Sequence, residues 1–218
     1  MNTKKIRLFN IFSLLFNLAI FILTAYAVIS IVFGNEGGNM SIGTQAFRYF
    51  TVLSNIYVAL TALIYFPYNI IAICEGRDDT PQWVKTFKFT GTVAVAVTFV
   101  TVVLFLGFVY GFGPMFVGQN LFMHLITPLL AIIGFIFFDH TKPQPKGTLI
   151  WEMLPVVFYS ILYIVNVVVV PVWPDFYNFT FGGKLWAAPI SLIVMYTLTW
   201  GLGVGIRTAH NAMYRLSV

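Results

Sequence analysis

Six apolar runs, each about 20 residues or longer, set the limits on how this chain can fold. They are Leu8 to Phe33, Phe47 to Ile73, Thr86 to Phe112, Gln119 to Phe138, Leu149 to Val170 and Leu185 to Ile206. At ~1.5 Å rise per residue, a helix of that length crosses a hydrocarbon layer of about 30 Å while bonding its whole backbone internally. The runs leave no room for a separate soluble domain, so residues 1–218 are expected to form one all-α, polytopic membrane domain of six transmembrane helices. A chain that is 59% hydrophobic and only 9% charged, with mean hydropathy +0.88, lies outside the range of soluble domains.

The net charge of +5 does not point to nucleic acid, because the basic residues sit at the ends of the apolar runs rather than in one patch. They report topology instead. With a cytoplasmic N-terminus, every basic residue except Arg48 and Lys184 falls on the inner side, which puts both termini in the cytoplasm. The expected location is an integral membrane, the plasma membrane if the source is bacterial. Lys4, Lys5 and Arg7 ahead of Ala25-Tyr26-Ala27 also fit a cleaved signal peptide. The run continues to Phe33, however, which argues that the first segment is retained. The glycine-rich outer loop from Gly34 to Thr44 carries Glu36 and the glycosylation sequon Asn39-Met40-Ser41. The single cysteine, Cys74, permits no internal disulfide.

The stretch FRYFTVLSN, Phe47 to Asn55, brings polar groups to the mouth of the second run. On a helix Arg48, Thr51 and Asn55 share one face, with Ser54 beside them, and such a face turns into the protein because lipid cannot satisfy it. The fourth run has a matching face of Asn120, His124 and Thr127, and the fifth carries Glu152, Tyr159, Tyr163 and Asn166. Thr51 and His124 are each expected about five residues inside the outer end of a helix, roughly 7 Å deep at ~1.5 Å per residue. Equal depth allows contact. A threonine hydroxyl needs a base to become a nucleophile, and an imidazole suits that task near neutral pH. Arg48, Asn55, Asn120, Tyr159, Tyr163 and Asn166 are the candidates for substrate binding or oxyanion stabilisation. The competing structural reading has Thr51 bonding to its own helix and His124 joining two helices.

Arg48-Tyr49-Phe50-Thr51, continuing to Leu53-Ser54-Asn55, resembles the [K/R]-Y-x-T segment of the androgen-induced protein family, and Asn120-Leu121-Phe122-Met123-His124 resembles its N-x-x-M-H segment. The resemblance covers these two motifs and the six-span layout. Members of that family are multi-span threonine hydrolases that cleave fatty acid esters of hydroxy fatty acids. The resemblance therefore implies an acyl-threonine mechanism with Thr51 as nucleophile, His124 as base, a membrane lipid or fatty acyl ester as substrate, and no metal or organic cofactor. Leu125-Ile126 stands where the family has Thr-Thr, and Pro128 comes one residue early.

The sequence disfavours several other membrane functions. A haem-binding bundle wants paired intramembrane histidines, a retinal-type Schiff base wants a lysine deep in the bundle, and a voltage sensor wants an arginine series; none is evident. His140 and His210 read as interfacial, Glu152 as a boundary charge, and the loop from Glu75 to Lys85 as a solvated connector. The rival reading is a non-catalytic small-molecule binding or transport protein, such as the substrate-binding subunit of an energy-coupling-factor transporter. No clear small-x-x-x-small pair for docking such a partner appears between Leu8 and Phe33. Nothing in the sequence fixes an oligomeric state.

Overall fold

The structure is a computed structural model describing residues 2–34 and 42–217. Glu36 and the Asn39 sequon lie outside the described residues. Among the described residues, six helices are long and apolar enough to cross a membrane: α1 Thr3–Phe33, α2 Phe50–Glu75, α3 Gln82–Tyr110, α4 Gln119–Phe137, α5 Thr148–Val169 and α6 Ala187–Ser217. They form one all-α bundle. The largest departure from the expected spans is α6, which runs on to Ser217 because nothing after Ile206 breaks a helix. At its start α1 is capped by Asn2, whose side chain accepts the amide of Lys5 at 2.9 Å. Lys5 also reaches the carbonyl of Ser217 at 3.5 Å, so the first and last helices meet at the terminal end of the bundle.

The central helix is α3. Every residue from Lys88 to Thr98 is buried, and α2, α4, α5 and α6 all pack against it. The small and β-branched composition of that stretch, GTVAVAVT, lets four neighbours approach closely. Among the α6 glycines only Gly203 makes such an approach. A Cβ there would collide with the carboxyl of Glu152, whereas Gly201 and Gly205 face open space.

Three helices widen into a π turn near the far end: α3 at Val102–Leu106, α4 at Phe122–Ile126 and α5 at Val165–Val169. In α4 the cause is legible. Pro128 has no N–H to offer the carbonyl of His124, and the amide of Thr127 reaches past Met123 to Phe122. The carbonyl of Met123 is thereby released from the helix ladder.

The terminal half corrects several expectations. The connector after α2 is not solvated throughout: Asp78, Thr80 and Lys85 are buried, with Lys85 Nζ 2.6 Å from Asp78. Thr141 also donates to Asp78, as does the amide of Thr80 at 2.8 Å. Burial alone would raise the Asp78 carboxyl, but the Lys85 ammonium and these hydrogen bonds bring it down to about 2. A lysine does lie deep in the bundle, because Lys88 is 1% exposed and donates to Asn17 within a cluster that includes Ser13, Asn69 and Asp139. His140, His210 and Glu152 are likewise buried rather than interfacial. His140 meets the Ser217 hydroxyl at 2.8 Å through Nε2, and the ring nitrogens of His210 lie 2.9 and 3.0 Å from the carbonyls of Phe135 and Lys142. Asp78, Lys85, Lys88 and the histidines can leave water because the bundle supplies partners that a helix-by-helix reading cannot see, whereas neither carboxyl oxygen of Glu152 has a hydrogen-bond partner among the described residues.

Candidate functional site

At the far end, Thr51 stands where two cavities meet. One, about 400 Å³, has almost wholly apolar walls from α2, α3, α5, α6 and the loop before α6. Its rim residues Leu104, Ile190 and Val194 are exposed, so it opens on the flank of the bundle, where acyl chains lie. The other, about 370 Å³, is lined by His124, Asn120, Tyr49, Tyr110 and Met115. Thr51, Leu106 and Tyr177 belong to both walls.

The sequence places these groups by local means. Gly43–Arg48 forms a 3-10 turn, Tyr49 is extended, and α2 starts at Phe50. Thr51 is therefore in the first turn of α2, not five residues deep, and Arg48 lies outside the helix whose face it was expected to share. First-turn amides lack intrahelical partners and form the positive end of the helix dipole, which favours negative charge beside Thr51. The carbonyl of Thr51 is held by Asn55 Nδ2 at 2.7 Å and by Ser54 Oγ at 3.1 Å, and Ser54 continues to Thr98 at 2.9 Å.

His124 sits inside the π turn of α4 and is 4% exposed, as is Thr51. Its Nδ1 lies 2.8 Å from the carbonyl of Met115, in the short helical turn Phe112–Met115. A carbonyl only accepts, so Nδ1 carries the hydrogen and the neutral ring keeps its lone pair on Nε2. Asn120 steadies the same turn by donating to the carbonyl of Pro114 at 3.0 Å.

Of the residues expected at a site, Thr51, His124 and Asn120 line the second cavity, and Tyr159 and Tyr163 line the apolar one. Asn55 lines neither. Both hydrogens of its amide are committed, one to Thr51 and one to the released carbonyl of Met123 at 3.0 Å, so it ties the threonine turn to the histidine turn. Tyr159 donates to the carbonyl of Arg48 at 2.6 Å, and Tyr163 donates to Asp175 at 2.8 Å. Their rings form wall while their hydroxyls anchor loops. Arg48 lines neither cavity and lies over the ring of Trp173 at 5.9 Å. Asn166 is also outside both, bonded back to the carbonyl of Leu162 at 2.8 Å.

Sequence reasoning missed Tyr177, which lies in the loop before α6. Its phenolic oxygen accepts the amide of Phe50 at 2.9 Å and is approached by the hydroxyl and amide of Thr51. Burial pushes this phenol up to about 12, although the Thr51 and Phe50 donors act in the opposite sense. The loop is locked by Asp175, which accepts from Tyr163, the amides of Phe179 and Thr180 at 2.8 Å each, and the Thr180 hydroxyl at 2.6 Å. Burial would raise the Asp175 carboxyl, but these donors hold it below its ordinary value. The signal available in the sequence was this lone loop acid followed five residues later by a threonine.

Compared with family models, curated proteins and solved structures, the chain matches none. Among the described residues no group of three or more His, Cys, Asp or Glu is placed to hold a metal ion. What the arrangement can do chemically rests on its own groups: a hydroxyl at a helix N-terminus, an imidazole of fixed tautomer across one cavity, and an apolar chamber on the other side.

Proposed function

We propose that this protein is an intramembrane threonine hydrolase that cleaves a lipid ester, of the fatty acid ester of hydroxy fatty acid type. The observation carrying this reading is that Thr51 and His124 face one cavity while Thr51 also borders an apolar chamber open to the flank. The motif resemblance to the androgen-induced protein family points the same way. An acyl tail enters the apolar chamber from the lipid and brings its carbonyl to Thr51. His124 Nε2 takes the hydroxyl proton, Thr51 Oγ bonds to the carbonyl carbon, and the leaving alcohol receives that proton from His124. Water, activated by the same imidazole, then releases the fatty acid. The helix dipole of α2 favours the negative charge that develops at each addition.

We place both termini in the cytoplasm and the chambers toward the outer leaflet, in the plasma membrane if the source is bacterial. Burial removes Lys85 and Lys88 from the loop charges, yet Lys4, Lys5, Arg7, Arg77, Lys142, Lys146, Arg207 and Arg215 still oppose only Arg48 and Lys184.

The test is covalent labelling of purified protein by a fluorophosphonate probe, alongside turnover of a fatty acid ester of a hydroxy fatty acid. Wild type is expected to label on Thr51 and to release fatty acid, and Thr51→Ala and His124→Ala to lose both activities while remaining folded. A binding or transport protein would instead retain ligand without turnover, and folded variants that label like wild type would end the hydrolase reading.

A further inference from the structure

Ester cleavage at Thr51 needs a donor for the oxyanion, and most polar groups around the site are already committed. The Asn55 amide spends both hydrogens on carbonyls, Tyr159 gives its hydrogen to Arg48, and Tyr163 gives its hydrogen to Asp175. The Arg48 guanidinium lines neither cavity and lies over Trp173. Tyr177 differs. It lies in the partition between the chambers, and its oxygen accepts the amide of Phe50, which aims the ring edge at the first turn of α2. Its other neighbours are the amide and hydroxyl of Thr51 and the hydroxyl of Tyr159, whose hydrogen is on the Arg48 carbonyl, so no carbonyl or carboxylate among the described contacts takes the Tyr177 hydrogen. Turning that hydrogen toward a new acceptor therefore strands no buried carbonyl or carboxylate.

We propose that Tyr177 is a catalytic residue of the Thr51 site, donating its phenolic hydrogen bond to the oxyanion formed when Thr51 adds to an ester carbonyl. This rests on the hydrolase reading above. In the step, the Thr51 Oγ to carbonyl carbon bond forms, the carbonyl π pair moves onto oxygen, and the threonine proton passes to His124. The phenol keeps its proton and donates a hydrogen bond to the new oxyanion. When the carbonyl re-forms, the ester C–O bond breaks and the departing alkoxide takes the proton held by His124. The rest of the loop serves this placement: the Tyr177 amide donates to the Tyr163 hydroxyl at 3.0 Å, and that hydroxyl is itself fixed on Asp175. Aromatic packing of Tyr177 against Phe176, Tyr159 and Tyr163 keeps the ring in place without its hydroxyl, so Tyr177→Phe removes the donor and spares the wall.

The experiment compares wild type with Tyr177→Phe in lipid nanodiscs, using a fatty acid ester of a hydroxy fatty acid and the fluorophosphonate probe. The expected result is a fall in kcat of about 100-fold with KM within about two-fold, the pattern of a lost oxyanion donor, and labelling slowed to match. A Tyr177→Phe protein that keeps kcat within about three-fold, or loses it wholly through KM, overturns the assignment while leaving the hydrolase reading standing. Wild-type protein that neither labels nor turns over defeats both. Tyr177→3,5-difluorotyrosine keeps the ring and the hydroxyl and so decides the matter if Tyr177→Phe does not fold. Its more acidic phenol is expected to move the alkaline limb of kcat to lower pH, and an unmoved limb overturns the proposal.

Discussion

Asn55 and Asp78 are polar residues of similar size at opposite ends of the bundle, and each serves as a joint. Asn55 uses one planar amide to hold the carbonyls of Thr51 and Met123 together, and no other side chain type offers two such donors from so short a stem. Asp78 neutralises the buried ammonium of Lys85, and its removal leaves a charge without compensation. Replacing it, as Asp78→Ala, is expected to cost about 3–5 kcal/mol in thermal unfolding, with most of the loss recovered in Asp78→Ala/Lys85→Met. The pH sign follows from a carboxyl held at about 2, below its ordinary value. The stabilisation is fully present above the ordinary carboxylate range and is lost as pH falls toward about 2. Unfolding temperatures measured in detergent are expected to drop over that acidic range in wild type and to be flatter in Asp78→Asn.

At the scale of elements, the site depends on a helix that departs from regular geometry. A regular α4 would bond the carbonyl of Met123 within the helix and rotate His124 away from its present register. Pro128 opposes this because it withholds the amide that a regular helix gives to the carbonyl of His124 and its ring crowds that carbonyl, which widens the turn. Pro128→Ala restores that amide, so α4 is expected to close toward a regular helix. Thermal stability should stay level or rise, while fluorophosphonate labelling of Thr51 and ester turnover fall at least ten-fold. Labelling at the wild-type rate would show that the wide turn does not set the position of His124. The Phe112–Met115 turn supports the same arrangement from outside, because Gly107 has no side chain and the ring of Phe112 lies against it; a Cβ there would sit 2.5 Å from Phe112. The loop before α6 closes the site through Asp175, a carboxylate carrying donors from three residues.

For the molecule as a whole, orientation is the property most readily tested. Cys74 is exposed at the terminal end of α2, and the sequence holds no other cysteine. A membrane-impermeant maleimide is expected to label it in inverted vesicles or permeabilised cells and not in intact cells. A Cys74→Ser, Phe181→Cys protein should show the reverse, since Phe181 is exposed at the far end. The six spans and the all-α class were legible in the chain because hydrophobic length is a local, additive property that each run carries by itself. Thr51 and His124 were singled out there as well, and both line one cavity, although Thr51 stands in the first turn of its helix rather than five residues deep. Other features were settled only by the tertiary structure. Lys88, His210 and Glu152 look like boundary groups in one dimension, and the bundle buries them because neighbouring helices supply partners or, for Glu152, a gap above Gly203. Arg48 left its expected face because Tyr49 is extended and the helix starts only after it, and Tyr177 reached Thr51 because a carboxylate in the same loop folded it inward. Apolar segments announce themselves through free energy summed along the chain, whereas a hydrogen bond exists only between two groups that folding has already brought within about 3 Å.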